Sequence, residues 1–321
     1  MPYKHLSEAE RRVIEKKFQA NISQSEIARF LGRSESTISR ELRRNNRLNY
    51  SAYLAQKRYE QVREKCIYTK FSYVKLLNYV LDKLALYWSP DQISGRIEID
   101  HPDDLRMRIT FETIYEHIFQ NYPGMFQYFR IKGRYKKPFR GWKNKRKFVI
   151  WGTRREITER CDAAANGSEI GHWESDTVEG KKGTGHLVTH VEKKTKILKM
   201  RLVPQKTPEN ILNVTVKMLK GFPRKFRKTM TSDRGTEFLF FKKIEKALKL
   251  LFYFAKAYSP WQRPVNENMN GLVRQFCPKG SDFSKYTDSY IQYVEDLINN
   301  RPRKSLGYKT PNEVLNLALR I

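Results

Sequence analysis

The sequence predicts a multidomain chain in which an all-α N-terminal region with a helix-turn-helix precedes an α/β core. Three observations predict it. Capped, amphipathic helical patterns fill roughly the first 120 residues. A stretch from Asn121 to Arg155 contains no Asp or Glu at all. From Gly171 onward, short apolar strands alternate with helices. Overall, 63 Lys and Arg face 34 Asp and Glu, a formal net charge of +29. Such a charge requires an anionic partner: nucleic acid first, a membrane surface second, a ribosomal or packaging role third. Cys66, Cys161 and Cys277 lie far apart with no CxxC pair, which excludes a disulfide scaffold and suits a reducing cytosol. No run of 18 apolar residues occurs and the first residues, MPYKHLSEAERR, lack an apolar stretch. A soluble cytoplasmic protein with no membrane partner is expected.

The N-terminal elements follow in order. Ser7–Phe18 reads as a helix. Ser23-Gln24-Ser25-Glu26 is a capping box opening a second helix, with Ile27, Ala28 and Leu31 inward and Gly32 ending it in a left-handed turn. Ser34 is placed to cap a third helix carrying Thr37, Ile38 and Leu42. Ala28, Gly32 and Ile38 fall at helix-turn-helix spacing: a small residue at the crossing, a glycine in the turn, an apolar lock. The third helix presents Glu35, Ser36, Ser39 and Arg40 early, and Arg40, Arg43, Arg44 and Arg47 form one basic stripe; Ser36, Thr37, Ser39 and the stripe are singled out. These residues are the candidate DNA contacts, the early ones at base edges and the stripe partly on phosphates.

Residues 73–120 form a second helical block. Ser89-Pro90-Asp91-Gln92 is a second capping box opening Gln92–Ile97, and after the acidic loop from Asp100 to Asp104, Thr110 is placed to cap Phe111–Phe119. Either a second helix-turn-helix or a packing and dimerising unit accounts for it. The acid-free stretch then interleaves Arg134, Lys136, Lys137, Arg140, Lys143, Lys145 and Arg146 with Tyr135, Phe139 and Trp142, a pattern suited to lying along a nucleic-acid backbone. The expected domains are residues 1–65, 66–122, a basic linker 123–168, and a core 169–321.

In the core, His172–Glu179 is a strand, and His186–Glu192 with Lys196–Val203 a hairpin. Pro208–Leu219 is a helix, Lys228–Asp233 a strand, Phe238–Leu250 a helix and Leu251–Ala255 a strand. Val265–Phe276 and Thr287–Asn299 are helices. Three carboxylates stand out. Asp176 lies inside an otherwise apolar or neutral strand, Asp233 ends a strand where a side chain can enter a cleft, and Glu267 lies on the polar face of a helix. Three carboxylates brought together supply the hard oxygen ligands that paired Mg²⁺ ions need for phosphodiester chemistry. Singly, each has an ordinary alternative, as turn cap or as a match to the helix dipole. Glu174, on the same strand face as Asp176, reads as a support, and His172 and Trp173 as packing residues. Trp261 either stacks near DNA or walls its turn, and His186 and His190 pair with no Cys.

The order helix-turn-helix, basic linker, GHWESDTVEG, TSDRGTEF, SPWQRPVNENMNGLVRQF resembles the IS30-family insertion-sequence transposases, over nearly the whole chain. The resemblance implies a ribonuclease-H-like DDE core with Asp176, Asp233 and Glu267 as catalytic and metal-binding triad, and Mg²⁺ as cofactor, with Mn²⁺ substituting. Asp233 and Glu267 have the family's 33 intervening residues, and Arg274 falls at its basic position, a further candidate DNA contact. It implies binding of double-stranded DNA (terminal inverted repeats and target), metal-dependent cleavage and strand transfer, a homodimer or larger homo-oligomer, and a nucleoid-associated place in a bacterial cytoplasm. The alternative is a sequence-specific DNA-binding regulator on an inactive transposase scaffold; the intact triad favours the enzyme.

Overall fold

Local sequence chemistry sets the N-terminal helices, and long-range burial fixes them in place. The computed structural model describes residues 5–45, 49–130, 154–256 and 259–320. The chain divides into two compact units, residues 1–78 and 79–321. The N-terminal unit contains α1 (Glu8–Gln19), α2 (Gln24–Leu31), α3 (Glu35–Arg44) and α4 (Ala52–Phe71); the division falls within α5 (Val74–Ala85). Ser7 and Ser23 each close a capping box, with Glu10 and Glu26 respectively, and Gly32 takes φ 62°. Ser34 precedes α3 but caps no backbone N–H; its hydroxyl pairs with Ser36 and Thr37 instead. Leu6, Ile14, Ile27, Ala28, Ile38 and Leu42 form the core of this unit. Within it Arg11 Nε donates to Glu41 Oε1 at 2.7 Å, and the Tyr50 hydroxyl donates to the same oxygen at 3.2 Å, so a buried ion pair clamps α1 to α3.

In the second unit the end of α5 is followed by α6 (Pro90–Asp100) and α7 (Phe111–Asn121), capped by Ser89 with Gln92 and by Thr110, as the sequence predicts. Helix α6 runs three residues beyond its expected end. Arg96 holds Asp100 at 2.8 Å, so this acid belongs to the helix and not to a loop. Next come β1 (Arg155–Glu156) and α8 (Asp162–Asn166), neither of which the hydrophobic pattern announces. Then follow β2 (His172–Glu179), β3 (His186–Glu192), β4 (Leu198–Val203), α9 (Pro208–Leu219), β5 (Thr229–Ser232), α10 (Phe241–Leu248), β6 (Leu251–Phe254), α11 (Pro264–Phe276), α12 (Asp288–Asn299) and α13 (Pro311–Arg320). The helix expected from Phe238 is shorter, because a 3-10 turn over Thr236–Phe238 precedes it and Lys249 ends it in the left-handed conformation.

The six strands stand in the order β1-β6-β5-β2-β3-β4. Strands β2, β3 and β4 are antiparallel neighbours, while β5 and β6 run parallel to β2. This is the ribonuclease-H-like mixed sheet that the sequence leads one to expect, with β1 added at one edge. Side chains alternate across it. Trp173, Val188 and Met230 face α9 and α10; Val178, Leu187 and Leu198 face α11 and α12. The outer edge of β4 is closed by α12: Glu295 accepts from Met200 N at 2.7 Å, and Asn299 bonds both Leu198 N and O at 2.9 Å. Helix α13 returns to α6, where Glu313 takes both terminal nitrogens of Arg96, at 2.6 and 2.7 Å. Gly95 leaves room for the Tyr308 ring, which would lie 2.3 Å from a Cβ there. Among the described residues no helix is long and apolar enough to cross a membrane.

Candidate active site

Parallel pairing of β2 with β5 sets His172 beside Thr229 and Glu174 beside Thr231. Two residues beyond the last paired positions come Asp176, still within β2, and Asp233, just past the end of β5. Asp176 is held from both ends: its Oδ1 accepts from Thr177 N at 2.9 Å, and its Oδ2 from Asn270 Nδ2 at 2.9 Å. Asn270 Oδ1 in turn accepts from Thr189 on β3, at 3.1 Å, so its amide orientation is fixed. Asp233 Oδ1 accepts from Gly235 N at 3.0 Å, the turn that carries the chain away from the sheet.

Between the two acids lies Arg263. Its Nη1 is 3.9 Å from Asp176 and its Nη2 3.5 Å from Asp233, while Nη1 also donates to Ser175 O at 2.9 Å. Burial pushes the Asp176 carboxyl above its usual range; Arg263 opposes that shift and the neighbouring Asp233 adds to it. A fourth acid, Glu237, is buried close by and accepts from the Thr177 hydroxyl at 3.1 Å. Glu267 stands exposed on the first turn of α11. The described residues contain no group of three His, Cys, Asp or Glu spaced to hold a metal ion. The structure therefore brings Asp176 and Asp233 together around a guanidinium and leaves Glu267 outside that pair. The donor chemistry suits a hard divalent cation: carboxylate oxygens only, with positive charge already drawn between two of them.

Helix α11 is seated by Glu174, which is fully buried and accepts from Asn266 N at 3.0 Å, with Lys193 at 3.7 Å. Glu174 thus fixes the residue adjoining Glu267. Trp173 and His172 are packing residues, as expected: the indole N–H donates to Phe226 O and the imidazole pairs with the Thr229 hydroxyl. The Arg274 guanidinium lies on backbone oxygens, Glu179 O at 2.9 Å with Cys277 O and Pro278 O beyond 3.3 Å. Trp261 is exposed. Sequence reasoning did not assign Arg263 or Asn270. Their signals were a lone charge in the Ser259–Pro264 turn and an amide one turn from Glu267 on the same face.

In the N-terminal unit, Ser36, Ser39, Arg40, Arg43 and Arg44 are exposed along α3 and Thr37 is half-buried. Arg40 folds back on its own helix, Nε to Ser36 O at 3.0 Å, and is therefore free to swing outward without breaking a tertiary contact. Arg47 and the linker residues Arg134, Lys136, Lys137, Arg140, Lys143, Lys145 and Arg146 lie outside the described residues.

The helix-turn-helix domain family matches residues 2–45. Over 317 residues the chain is 34% identical to the transposase for insertion sequence element IS4351 of Bacteroides fragilis, covering 97% of this chain and 95% of the relative. It is 34% identical to transposase InsI for insertion sequence element IS30C of Escherichia coli (strain K12), over 97% of this chain and 83% of that one. Among solved structures, the catalytic core domain of BIV integrase matches at 16% identity with a TM-score of 0.36, covering 46% of this chain and 95% of that one. With relatives of this identity spanning it nearly end to end, the chain belongs to the IS30 family of insertion-sequence transposases.

Proposed function

We propose that this protein binds the terminal inverted repeats of its own insertion sequence and cuts and rejoins DNA there, with Asp176, Asp233 and Glu267 as ligands of Mg²⁺ or Mn²⁺. The observation that carries the reading is the Asp176–Asp233 pair, the first within β2 and the second just past the end of the parallel strand β5, drawn around a cationic side chain. In this reading Glu267, exposed on the first turn of the helix whose Asn266 N donates to Glu174 of β2, joins the two acids when a cation binds. A bound divalent cation would activate the attacking oxygen and stabilise the leaving oxygen of an in-line displacement.

The chain's own groups orient the acids. Thr177 N and Asn270 hold both oxygens of Asp176, and Gly235 N holds one of Asp233, leaving the second turned toward Arg263. In the first reaction water attacks the phosphodiester at the element end; the P–O3′ bond breaks and a 3′-OH is freed. In the second, that hydroxyl attacks a phosphodiester of the target, and its 3′ oxygen departs. No covalent protein–DNA bond is formed. Two ends need two active sites, so a homodimer or larger homo-oligomer is implied. In this reading residues 1–65 recognise the end, 169–321 do the chemistry, and the basic linker tracks the DNA backbone, in a bacterial cytoplasm at the nucleoid.

The test is a cleavage and strand-transfer assay on end-containing DNA. Asp176→Asn, Asp233→Asn and Glu267→Gln should each retain end binding and lose both reactions, since one site serves both. Calcium should support binding without chemistry. Full activity in any of the three variants, or cleavage persisting in chelator, overturns the assignment.

A further inference from the structure

Beside α11, on the second unit, lies a cavity of about 530 Å³ between α6, the segment following α7, and the chain after α12. Three arginines line it: Arg130, Arg301 and Arg303. Arg301 is 3% exposed and Arg303 8%. Their described partners are neutral. Arg301 Nε donates to Gln92 Oε1 at 2.8 Å and Nη1 to Gln275 Oε1 at 3.0 Å. Arg303 Nη2 donates to Ile298 O at 2.8 Å, and its buried Nε has no partner among the described residues. Among the described residues no carboxylate lies within ion-pair distance of any of the three, and none of the remaining residues is Asp or Glu. The one acid lining the cavity, Asp91, sits 3.6 Å from Lys304.

Burying guanidinium groups together without an anion is unfavourable. Accordingly burial, with the neighbouring guanidiniums, pulls Arg301 down to about 9 and Arg303 to about 10. The wall is nevertheless built with care: Gln92 is held by the capping box of α6, and Gln275 donates to Tyr128 O at 2.9 Å. Aromatic rings from Trp88, Tyr115, Tyr128 and Phe129 line the same space. Its location is informative as well. A Cβ on Gly271 would lie 2.6 Å from Arg130 Nη2, so Arg130 crosses α11 at that glycine. Gly271 is four residues after Glu267, one turn along the same helix face.

We propose that this cavity receives one nucleotide of the DNA strand passing the active site, its phosphodiester on Arg130, Arg301 and Arg303 and its base among the aromatic rings. The proposal rests on the reading of Asp176, Asp233 and Glu267 as the cleavage site. A phosphate supplies the counter-charge these buried guanidiniums lack among the described residues, and rings beside them suit a base unstacked from the duplex. A cavity of this size accommodates a nucleotide.

The experiment uses the full chain and end-containing DNA in which single phosphates around the cut are replaced by neutral methylphosphonates. Wild-type binding should fall about tenfold for one position within two or so nucleotides of the cut, the loss of a charge-assisted contact. Arg130→Ala, at an exposed residue, should bind unmodified DNA about tenfold more weakly and be indifferent to that same methylphosphonate. Gly271→Ala, which displaces only the tip of Arg130, should reproduce the pattern. A 2-aminopurine at the adjoining base should brighten on binding to wild type and not to Arg130→Ala. Additive losses at every position, or no sensitive position near the cut, overturn the proposal. Metal-dependent cleavage by the wild type, measured in parallel, separates its failure from failure of the catalytic reading.

Discussion

Arg263→Ala removes the positive charge between Asp176 and Asp233. At 3.9 and 3.5 Å and an effective dielectric of about 20, each contact amounts to roughly 4–5 kcal/mol of gross attraction. Most of that is cancelled. The Arg263 guanidinium is desolvated with its Nε unpartnered, and 47% of the Asp233 side chain is in water, where screening weakens the pair. A net loss of about 1–2 kcal/mol remains, made up of the lost attraction and the newly uncompensated repulsion between the acids. For a unit of this size that lowers the thermal midpoint by about 3–6 °C in chelator. The loss should largely vanish in millimolar Mg²⁺, because a cation bound by the acids stabilises the native state in proportion to its occupancy. The measurement is thermal melting of wild type and variant, with chelator and with Mg²⁺. An equal drop under both conditions would show that Arg263 holds the backbone of β2 at Ser175 and not the charge of the acids. No drop in either would refute the reasoning entirely.

Three further outcomes are expected. Glu41→Gln leaves Arg11 buried without its counter-charge and should cost about 3–5 kcal/mol in urea unfolding followed by circular dichroism; a loss below about 1 kcal/mol would mean the clamp between α1 and α3 is dispensable. Arg96 holds the Glu313 carboxyl down to about 2 from its ordinary 4.5, so its contribution is present above pH 4.5 and is lost as pH falls through 2; Glu313→Gln should flatten the acid limb of the stability curve in that window, and an unchanged limb would count against the pair. Arg40→Ala and Arg43→Ala should weaken end binding, by about 1–3 kcal/mol with relaxed specificity at one base pair for a base contact, or with a shallower salt slope for a phosphate contact; binding titrations on matched and mutated ends at several salt concentrations decide.

Much of the site was legible because it rests on local pattern. The strand period placed Asp176 within β2, the turn placed Asp233 just past β5, and the helical period placed Glu267 on the polar face of α11. Serine and threonine caps at residues 23, 89 and 110 marked helix starts for the same reason: their chemistry acts over three residues. What the pattern could not yield are contacts closed over long chain distances. Asn270 reaches Asp176 across 94 residues and Arg263 reaches Asp233 across 30. Glu295 reads as one more polar residue on α12, yet it is fully buried, because β4 needs an acceptor along its free edge. The cavity arginines were likewise silent: in RPRK a charge run usually means a solvated face, and only the fold shows Arg301 and Arg303 turned inward.

The bidentate grip of Glu313 on Arg96 has a temporal side. A ribosome delivers about 5–20 residues per second, and these partners are 217 positions apart. For on the order of 10–40 s after Arg96 is made, its fork has no carboxylate to meet. Gln92 waits almost as long for Arg301. Helices α1 to α3, whose clamp closes within the first 50 or so residues, need none of this. The N-terminal unit matures early during translation and the second unit is latched late. A nascent chain that stalls short of Glu313 keeps helices α1 to α3 and lacks its latch.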